Sequence, residues 1–266
     1  MSKITDAITE IHSLEALSRG PGFVNRLHPL GKLLLTVFYI AVTVSFPKYS
    51  LPGLITMAVY PAAVFLVADL SFSEALRRLR VVLPLVCVVG ILNPFFDRTP
   101  VLTIGTLAVS GGVLSMVTLM VKAVLTVLAG YLLIATTPIE EICRALRLLH
   151  LPKVFTVVVL LIYRYVTVLL AEARRITQAY SLRAPGQKGV AWKAWGPLLG
   201  QMLLRSMDRA EGVYDAMLLR GFTGEFAAGR EAKLRPADIL WPLVWMLILL
   251  ALRLFPVTSW IGNLFV

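Results

Sequence analysis

The sequence predicts an all-α polytopic membrane protein with about five transmembrane helices and one helical cytoplasmic domain, whose two long helices end in Leu-Arg-small tips. Three observations carry this. Hydrophobic residues make up 58% of the chain and the mean hydropathy is +0.80. Apolar runs of roughly 17 or more residues recur, the length needed to cross a hydrocarbon core of about 30 Å. The only long polar interval, residues 136–238, contains the pattern Ala-x-x-Leu-Arg-small twice, at Ala179–Ala184 and at Ala216–Gly221.

Residues 1–28 are mixed and polar (Asp6, Glu10, His12, Glu15, Arg19, Arg26) and lack an apolar h-region, so no cleavable signal peptide is expected. Spans follow at Pro29–Phe46, Leu54–Leu70, Val81–Phe95, Gly112–Ala135 and Ile239–Phe255. The third is short and interrupted by Pro84 and Asn93-Pro94, which leaves it kinked, partly re-entrant or extended by Leu76–Arg80. The links Pro47–Gly53, Ser71–Arg80 and Asp97–Gly111 are short. The expected organisation is residues 1–135 for the N-terminal segment and four spans, 136–238 for the cytoplasmic domain, and 239–266 for the last span and C-terminus. Cys87 and Cys143 fall at different depths, so no disulfide framework is implied.

Charge sets the orientation. Lys3, Arg19, Arg26 and Lys32 precede or open the first span, Arg77, Arg78 and Arg80 fill the second link, and the long interval holds most of the other cations. The first and third links have only Lys48 and Arg98. Five spans put the three basic regions on one side, so the positive-inside rule places the N-terminus and residues 136–238 in the cytoplasm and the C-terminus outside, with the plasma membrane as the location. Flanking of spans accounts for the net charge of +11. A nucleic-acid partner is not expected, because basic and aromatic residues do not interleave as base-stacking surfaces require.

Within the polar interval, Thr137, Pro138 and Glu140 form a helix start of the capping-box type. Ile139, Ile142, Leu146 and Leu149 then give an amphipathic stripe. After Pro152 a helical run extends to Ala184, apolar over Val154–Ile162 and Val166–Leu170 and polar from Glu172 onward. Such a helix can start against the bilayer or other helices and end in solvent. A third helix runs from about Pro197 to Arg220 and stops at Gly221, a residue suited to a left-handed cap. Its small residues Ser206, Ala210, Gly212 and Ala216 suit either close helix approach or ordinary packing.

The chain resembles the transmembrane coupling subunit, or T component, of energy-coupling-factor (ECF) transporters, and within that group the cobalt-type CbiQ family. The resemblance rests on Asn25-Arg26-Leu27-His28-Pro29-Leu30-Gly31-Lys32-Leu33, on Thr136-Thr137-Pro138-Ile139-Glu140-Glu141, on Leu182-Arg183-Ala184, and on Asp208-Arg209-Ala210-Glu211 leading to Leu219-Arg220-Gly221. It implies that two arginine-tipped coupling helices insert into grooves on two cytoplasmic ATPase subunits while the spans hold a separate substrate-binding S component, with cobalt as cargo. The docking residues would be Leu182, Arg183, Ala184, Leu219, Arg220 and Gly221. The family's tips are usually Ala-Arg-Gly or Ala-Arg-Ser; here leucines precede both arginines, and Ala184-Pro185 follows the first.

An arginine on a rigid helix end presents a planar fork of donors to a carboxylate or to backbone carbonyls. Either arginine alone could equally be solvated or serve its own helix C-terminus; the repeated context favours docking. Catalysis is not expected. Gly31-Lys32 is followed by Leu33 and has Arg26 five residues before the glycine, so the phosphate-cradling loop fails at two positions. His12, His28 and His150 have no metal-ligand spacing, and there is no Asp-rich diphosphate motif, so neither a metal site nor a cofactor is expected. Lys122, the ionisable residue near mid-span, fits either a contact with a partner subunit or a pairing inside the bundle. The alternative from another class is a stand-alone secondary transporter that binds solute within its own spans.

Overall fold

Long apolar runs and prolines in first turns produce most elements of the computed structural model, which describes residues 2–96, 100–104, 107–184, 186–187, 189–224, 226 and 235–254. The chain opens with α1 (Ser2–Ser18), α2 (Phe23–Arg26), α3 (Pro29–Val44), α4 (Leu51–Thr56), α5 (Val59–Ala68), α6 (Phe72–Gly90) and α7 (Asn93–Phe96). The strands β1 (Pro100–Ile104) and β2 (Leu107–Ser110) follow, then α8 (Gly111–Thr136), α9 (Ile139–Leu148), α10 (Lys153–Arg183), α11 (Trp192–Leu219) and α12 (Pro236–Leu254). Two units result: Ser18–Pro138 with Ala232–Val266, and Met1–Leu17 with Ile139–Glu231.

The first of these is the span unit. Its α3 starts where the sequence motif demands: Pro29 sits in the first turn, and the His28 side chain caps the helix by accepting from the Leu30 N–H at 3.3 Å. The rest of the motif is a joint. Lys32, only 6% exposed, donates through Nζ to the carbonyls of Thr136 (2.9 Å) and Asn25 (3.3 Å). Asp238, also buried, accepts the His28 N–H at 2.9 Å and, as an N3 residue reaching back, the Arg235 N–H at 2.8 Å. Gly31 lets α3 and α12 approach, since a Cβ there would lie 3.0 Å from the Asp238 carbonyl oxygen and 3.1 Å from Pro242 Cγ.

The second expected span begins at Leu51 instead of Leu54. Pro52 lies inside the first turn of α4, where its missing N–H costs nothing, and does not close the preceding link. That span is broken at Met57-Ala58, and the carbonyl of Met57 is satisfied by the hydroxyl of fully buried Tyr39 at 3.1 Å. A chain break in an apolar surrounding needs such a partner. Tyr39 also packs its ring on Tyr60 (4.8 Å between centroids), and Tyr60 on Trp245 of α12 (5.3 Å).

Three further differences from the sequence reading have local causes. The link Ser71–Arg80 is helical from Phe72, so α6 carries Arg77 and Arg80 ahead of its apolar half and breaks at Ile91-Leu92, just before Asn93-Pro94. The link Asp97–Gly111 contains an antiparallel hairpin, with Ile104 opposite Leu107 and an irregularity between Pro100 and Leu102; its alternating Val101, Thr103 and Val109 favour a strand over a bare link. The all-α class holds apart from this hairpin. Asp97, Arg98, Pro185, Lys188, Phe255 and the C-terminal residues 256–266 lie outside the described residues.

Four stretches among the described residues are long and apolar enough to cross a membrane: Leu51–Ala68, Gly111–Thr136, Lys153–Arg183 and Pro236–Leu254; α3 is a shorter apolar helix. The third expected span is missing from this set because α6 carries charges in its first half, and α10 enters it although the sequence reading kept it in the polar interval. Side-chain contacts order the helices of the span unit. Lys32 and His28, at the start of α3, touch Thr136 at the end of α8 and Asp238 at the start of α12. Tyr131, late in α8, donates to Glu74 at the start of α6 at 3.4 Å, while Asn93 donates to Ser115 at the start of α8 at 3.3 Å. Helix α6 therefore packs antiparallel to α8. The end of α8 and the start of α12 meet at the start of α3.

Lys122 also receives its assignment. Its Nζ donates to the carbonyls of Val44 (3.0 Å) and Phe46 (2.5 Å), while Arg253 Nη2 donates to the Ser45 carbonyl at 3.2 Å and its guanidinium lies 4.3 Å from the Phe46 ring centroid. Two cations thus cap the open C-terminus of α3, which combines hydrogen bonding with the favourable end of the helix dipole. Of the two readings for Lys122, the pairing inside the bundle is the one observed.

Candidate docking tips

The second unit holds the repeated pattern. Helix α9 begins at Ile139, immediately after Thr137-Pro138, runs to Leu148 and is closed by His150, which takes a left-handed conformation (φ 65°). The N–H of Leu151 bonds the Leu146 carbonyl at 3.3 Å and that of His150 the Arg147 carbonyl at 3.1 Å, closing a Schellman end ahead of Pro152. His28 and His150 thus serve helix ends. Among the described residues no group of three or more His, Cys, Asp or Glu side chains is placed to hold a metal ion. Cys143 and Ala145 are the fully buried residues of α9, while, of the stripe residues, Ile139, Ile142 and Leu146 are half-buried and Leu149, past the helix end, is exposed. Burial, then the charge of Glu140, pushes the Cys143 thiol above its ordinary value, so this is an inert core cysteine.

Helices α10 and α11 are about 46 Å and 42 Å long at 1.5 Å per residue. They run antiparallel. The Tyr180 hydroxyl near the end of α10 accepts the N–H of Ala191 at the start of α11 at 3.4 Å, whereas the end of α11 (Met217, Arg220) shares a cleft with Leu161 and Arg164 of α10. Between these ends, Arg205 of α11 donates to Glu172, whose side chain is only 12% exposed, and Arg175 stands 3.8 Å from the same carboxylate. This ion pair marks where the helices meet. The two tips consequently lie at opposite ends of the pair: from Arg164, beside the second tip, to Arg183 is about 28 Å along α10.

Both tips protrude. Leu182 is 77% and Leu219 90% exposed, and Arg183 and Arg220 are exposed beside them. Ala184 caps α10 at φ −124°, ψ 65°, with its N–H on the Tyr180 carbonyl at 3.1 Å. Gly221, at φ +79°, closes α11 by a Schellman turn: Phe222 N–H to the Met217 carbonyl (3.0 Å) and Gly221 N–H to the Leu218 carbonyl (2.9 Å). All six residues expected to dock are thus placed at helix ends, three at each tip. Among the described residues a Cβ on Gly212 would meet nothing within 4 Å, and α11 has no fully buried residue.

Sequence reasoning missed two supports. Tyr180 also donates to Gln187 Oε1 at 2.8 Å and so ties the loop to the helix behind the first tip. Glu172 and Arg205 register the helices on each other. The sequence signal for Glu172 was present, as the first acid where α10 turns from apolar to polar, but nothing in it named Arg205 as the partner.

Similar proteins give the family of this chain. The family profile for CbiQ, described as a cobalt transport protein, matches residues 22–233. An uncharacterized protein of Methanocaldococcus jannaschii is 26% identical over 54% of this chain and 50% of its own length. The nickel permease LarQ of Lactiplantibacillus plantarum is 28% identical over 42% of each chain. CbiMQ of Methanocorpusculum labreanum, described as a fused cobalt transport protein, is 30% identical over 38% of this chain and 17% of its own. The chain spans half or less of the length of these curated relatives. The profile covers every span but the last and reaches past the second tip, and on that match this multi-pass membrane protein belongs to the CbiQ family of cobalt transport proteins.

Proposed function

We propose that this chain is the transmembrane coupling (T) subunit of an ATP-driven ECF importer. It is a non-catalytic scaffold that passes motion from two cytoplasmic ABC-type ATPases to a membrane S component that binds the solute. The observation that carries this reading is the pair of Leu-Arg tips, projecting from opposite ends of an antiparallel helix pair about 28 Å apart. One tip per ATPase is the use such spacing supports. Each exposed leucine offers apolar contact at the mouth of a groove, and each guanidinium offers a fork of donors to acceptors at its base. The organisation is then 1–135 for the N-terminal segment and four spans, 136–238 for coupling, and 239–266 for the last span and terminus. The basic regions put the N-terminus and residues 136–238 in the cytoplasm of a plasma-membrane protein. The meeting of the α8 end and the α12 start beside the start of α3 supports keeping the whole coupling segment on that side.

Cobalt is the leading cargo, from the family description, and the nickel permease among the similar proteins makes nickel the second. Reconstitution tests the subunit role. Radiolabelled cobalt should enter liposomes only when ATPases and an S component are supplied with this chain, and uptake should need ATP. Uptake by the purified chain alone would establish the secondary-transporter reading in its place.

A further inference from the structure

The motif Asn25-Arg26-Leu27-His28-Pro29-Leu30-Gly31-Lys32 belongs to neither tip and has a place of its own. The chain passes between the two units at three points: Leu17/Ser18, Pro138/Ile139 and Glu231/Ala232. On the span-unit side, the chain next to each passage is tied to this one segment. The Asn25 amide donates to the Ser18 carbonyl at 3.3 Å, the Lys32 ammonium to the Thr136 carbonyl at 2.9 Å, and the His28 N–H to the Asp238 carboxylate at 2.9 Å. The ties are linked among themselves. Lys32 reaches back to the Asn25 carbonyl at 3.3 Å, its own N–H bonds the His28 carbonyl at 3.4 Å, and Asp238 also accepts the Arg235 N–H at 2.8 Å. Ser18, Lys32, Thr136 and Asp238 are all buried. Burying an ammonium and a carboxylate is costly, and apolar side chains of similar volume can hold helices together as well. What a satisfied polar cluster adds is a fixed direction and length for each tie.

We infer that this cluster is the joint through which movement of the coupling unit enters the spans, with Asn25, Lys32 and Asp238 as positioning residues. The inference rests on the T-subunit reading. Whatever displaces the coupling unit pulls on the three passages, and each is fastened at the entry to α3. That helix is held at its other end as well, where Lys122 of α8 and Arg253 of α12 bond the carbonyls of Val44, Ser45 and Phe46. In its middle, Tyr39 bonds the Met57 carbonyl at the break in the second span. Movement of the α3 start is thus delivered to α8, α12 and the α4–α5 break instead of being lost in a fraying end.

Coupling and assembly should separate at this joint. Cobalt uptake and ATP hydrolysis are measured together in liposomes that hold this chain with its ATPases and S component. Lys32→Met keeps the apolar stem and deletes the ammonium. Uptake per ATP hydrolysed should fall about tenfold, within the range by which single residues modulate coupling between sites. Hydrolysis and ATPase co-purification should stay at the wild-type level, because both tips are intact. Asp238→Asn, which turns one acceptor oxygen into a donor, and Asn25→Ala, a change at a half-buried site, should each lower the ratio independently, so the test stands even if Lys32→Met does not fold. A wild-type ratio in both Asp238→Asn and Asn25→Ala would overturn the joint and leave the T-subunit reading intact. Loss of ATPase co-purification in step with uptake would do the same, making the cluster a support of the fold alone. Uptake by the wild-type chain without ATPases would instead overturn the T-subunit reading, and the joint with it.

Discussion

The two tips share a sequence pattern and differ in how their helices end. At the second, Gly221 adopts a left-handed turn and the last carbonyls of α11 are satisfied within the tip itself. At the first, Ala184 precedes a proline and cannot make that turn, so the loop is held from behind by the Tyr180 hydroxyl, bonded to Gln187 and Ala191. One tip is shaped by its own backbone and the other by a side chain a full turn upstream. What the two have in common is the exposed Leu-Arg pair. The common part is what a partner would read, and the differing part is local support.

Four tests break or sharpen this comparison. The largest effect should come from removing the shared feature. With Arg183→Ala and Arg220→Ala together, the protein should still insert, since exposed helix-end residues contribute within about 0.5 kcal/mol to stability. Each lost docking bond should cost about 2–5 kcal/mol of assembly, enough that ATPase co-purification and ATP-driven uptake both disappear. A double variant that still assembles and transports at the normal rate would make the tips solvated helix ends.

The next effect should be confined to one tip. Gly221→Ala forces an L side chain into the left-handed region at a cost of about 1–2 kcal/mol, weakening the second tip, whereas Ala184→Gly should leave ATPase affinity unchanged. Equal losses from both would mean that the ends are not built differently. Smaller still, Glu172→Gln should loosen the helix pairing by less than about 1 kcal/mol, because Arg205 is largely solvated. Its signature is a change in the spin-label distance between the two tips, and an unaltered distribution would remove the ion pair from the account. The smallest effect, about 0.5 kcal/mol, is expected for Tyr180→Phe, which deletes two loop hydrogen bonds in a partly exposed setting. Proteolysis of the 184–191 loop should quicken in that variant, with no change at residues 221–224.

Much of the span unit was legible from composition because α3, α8 and α12 are uninterrupted apolar runs, and their observed bounds fall within three residues of those expected. The misreadings concern residues with two local meanings. Pro52 both ends links and starts helices, and here it starts one. Arg77 to Arg80 suggest a polar link, yet arginine is a good helix former and the helix simply continues through them. Val101, Thr103 and Val109 are too few to signal a hairpin against a background rich in β-branched residues. The length and apolarity of α10 meet the demands of a span, a feature hidden in the sequence by the charged residues of its second half.

By itself the sequence determined the class, the apolar segments, the Leu-Arg repeat, the end of α11 at Gly221 and the failed phosphate loop. These depend on composition and on neighbours within a few turns. Tertiary structure alone decided that Lys122 and Arg253 close the end of α3, that Lys32 and Asp238 bring the exit of α8 and the entry of α12 to the start of α3, and that Glu172 finds Arg205. Each of these is a contact between groups 33 to 210 residues apart. An ammonium or carboxylate taken out of water must find a partner somewhere, but its type and spacing name only the need, and which backbone carbonyl or side chain answers it is settled when the helices pack.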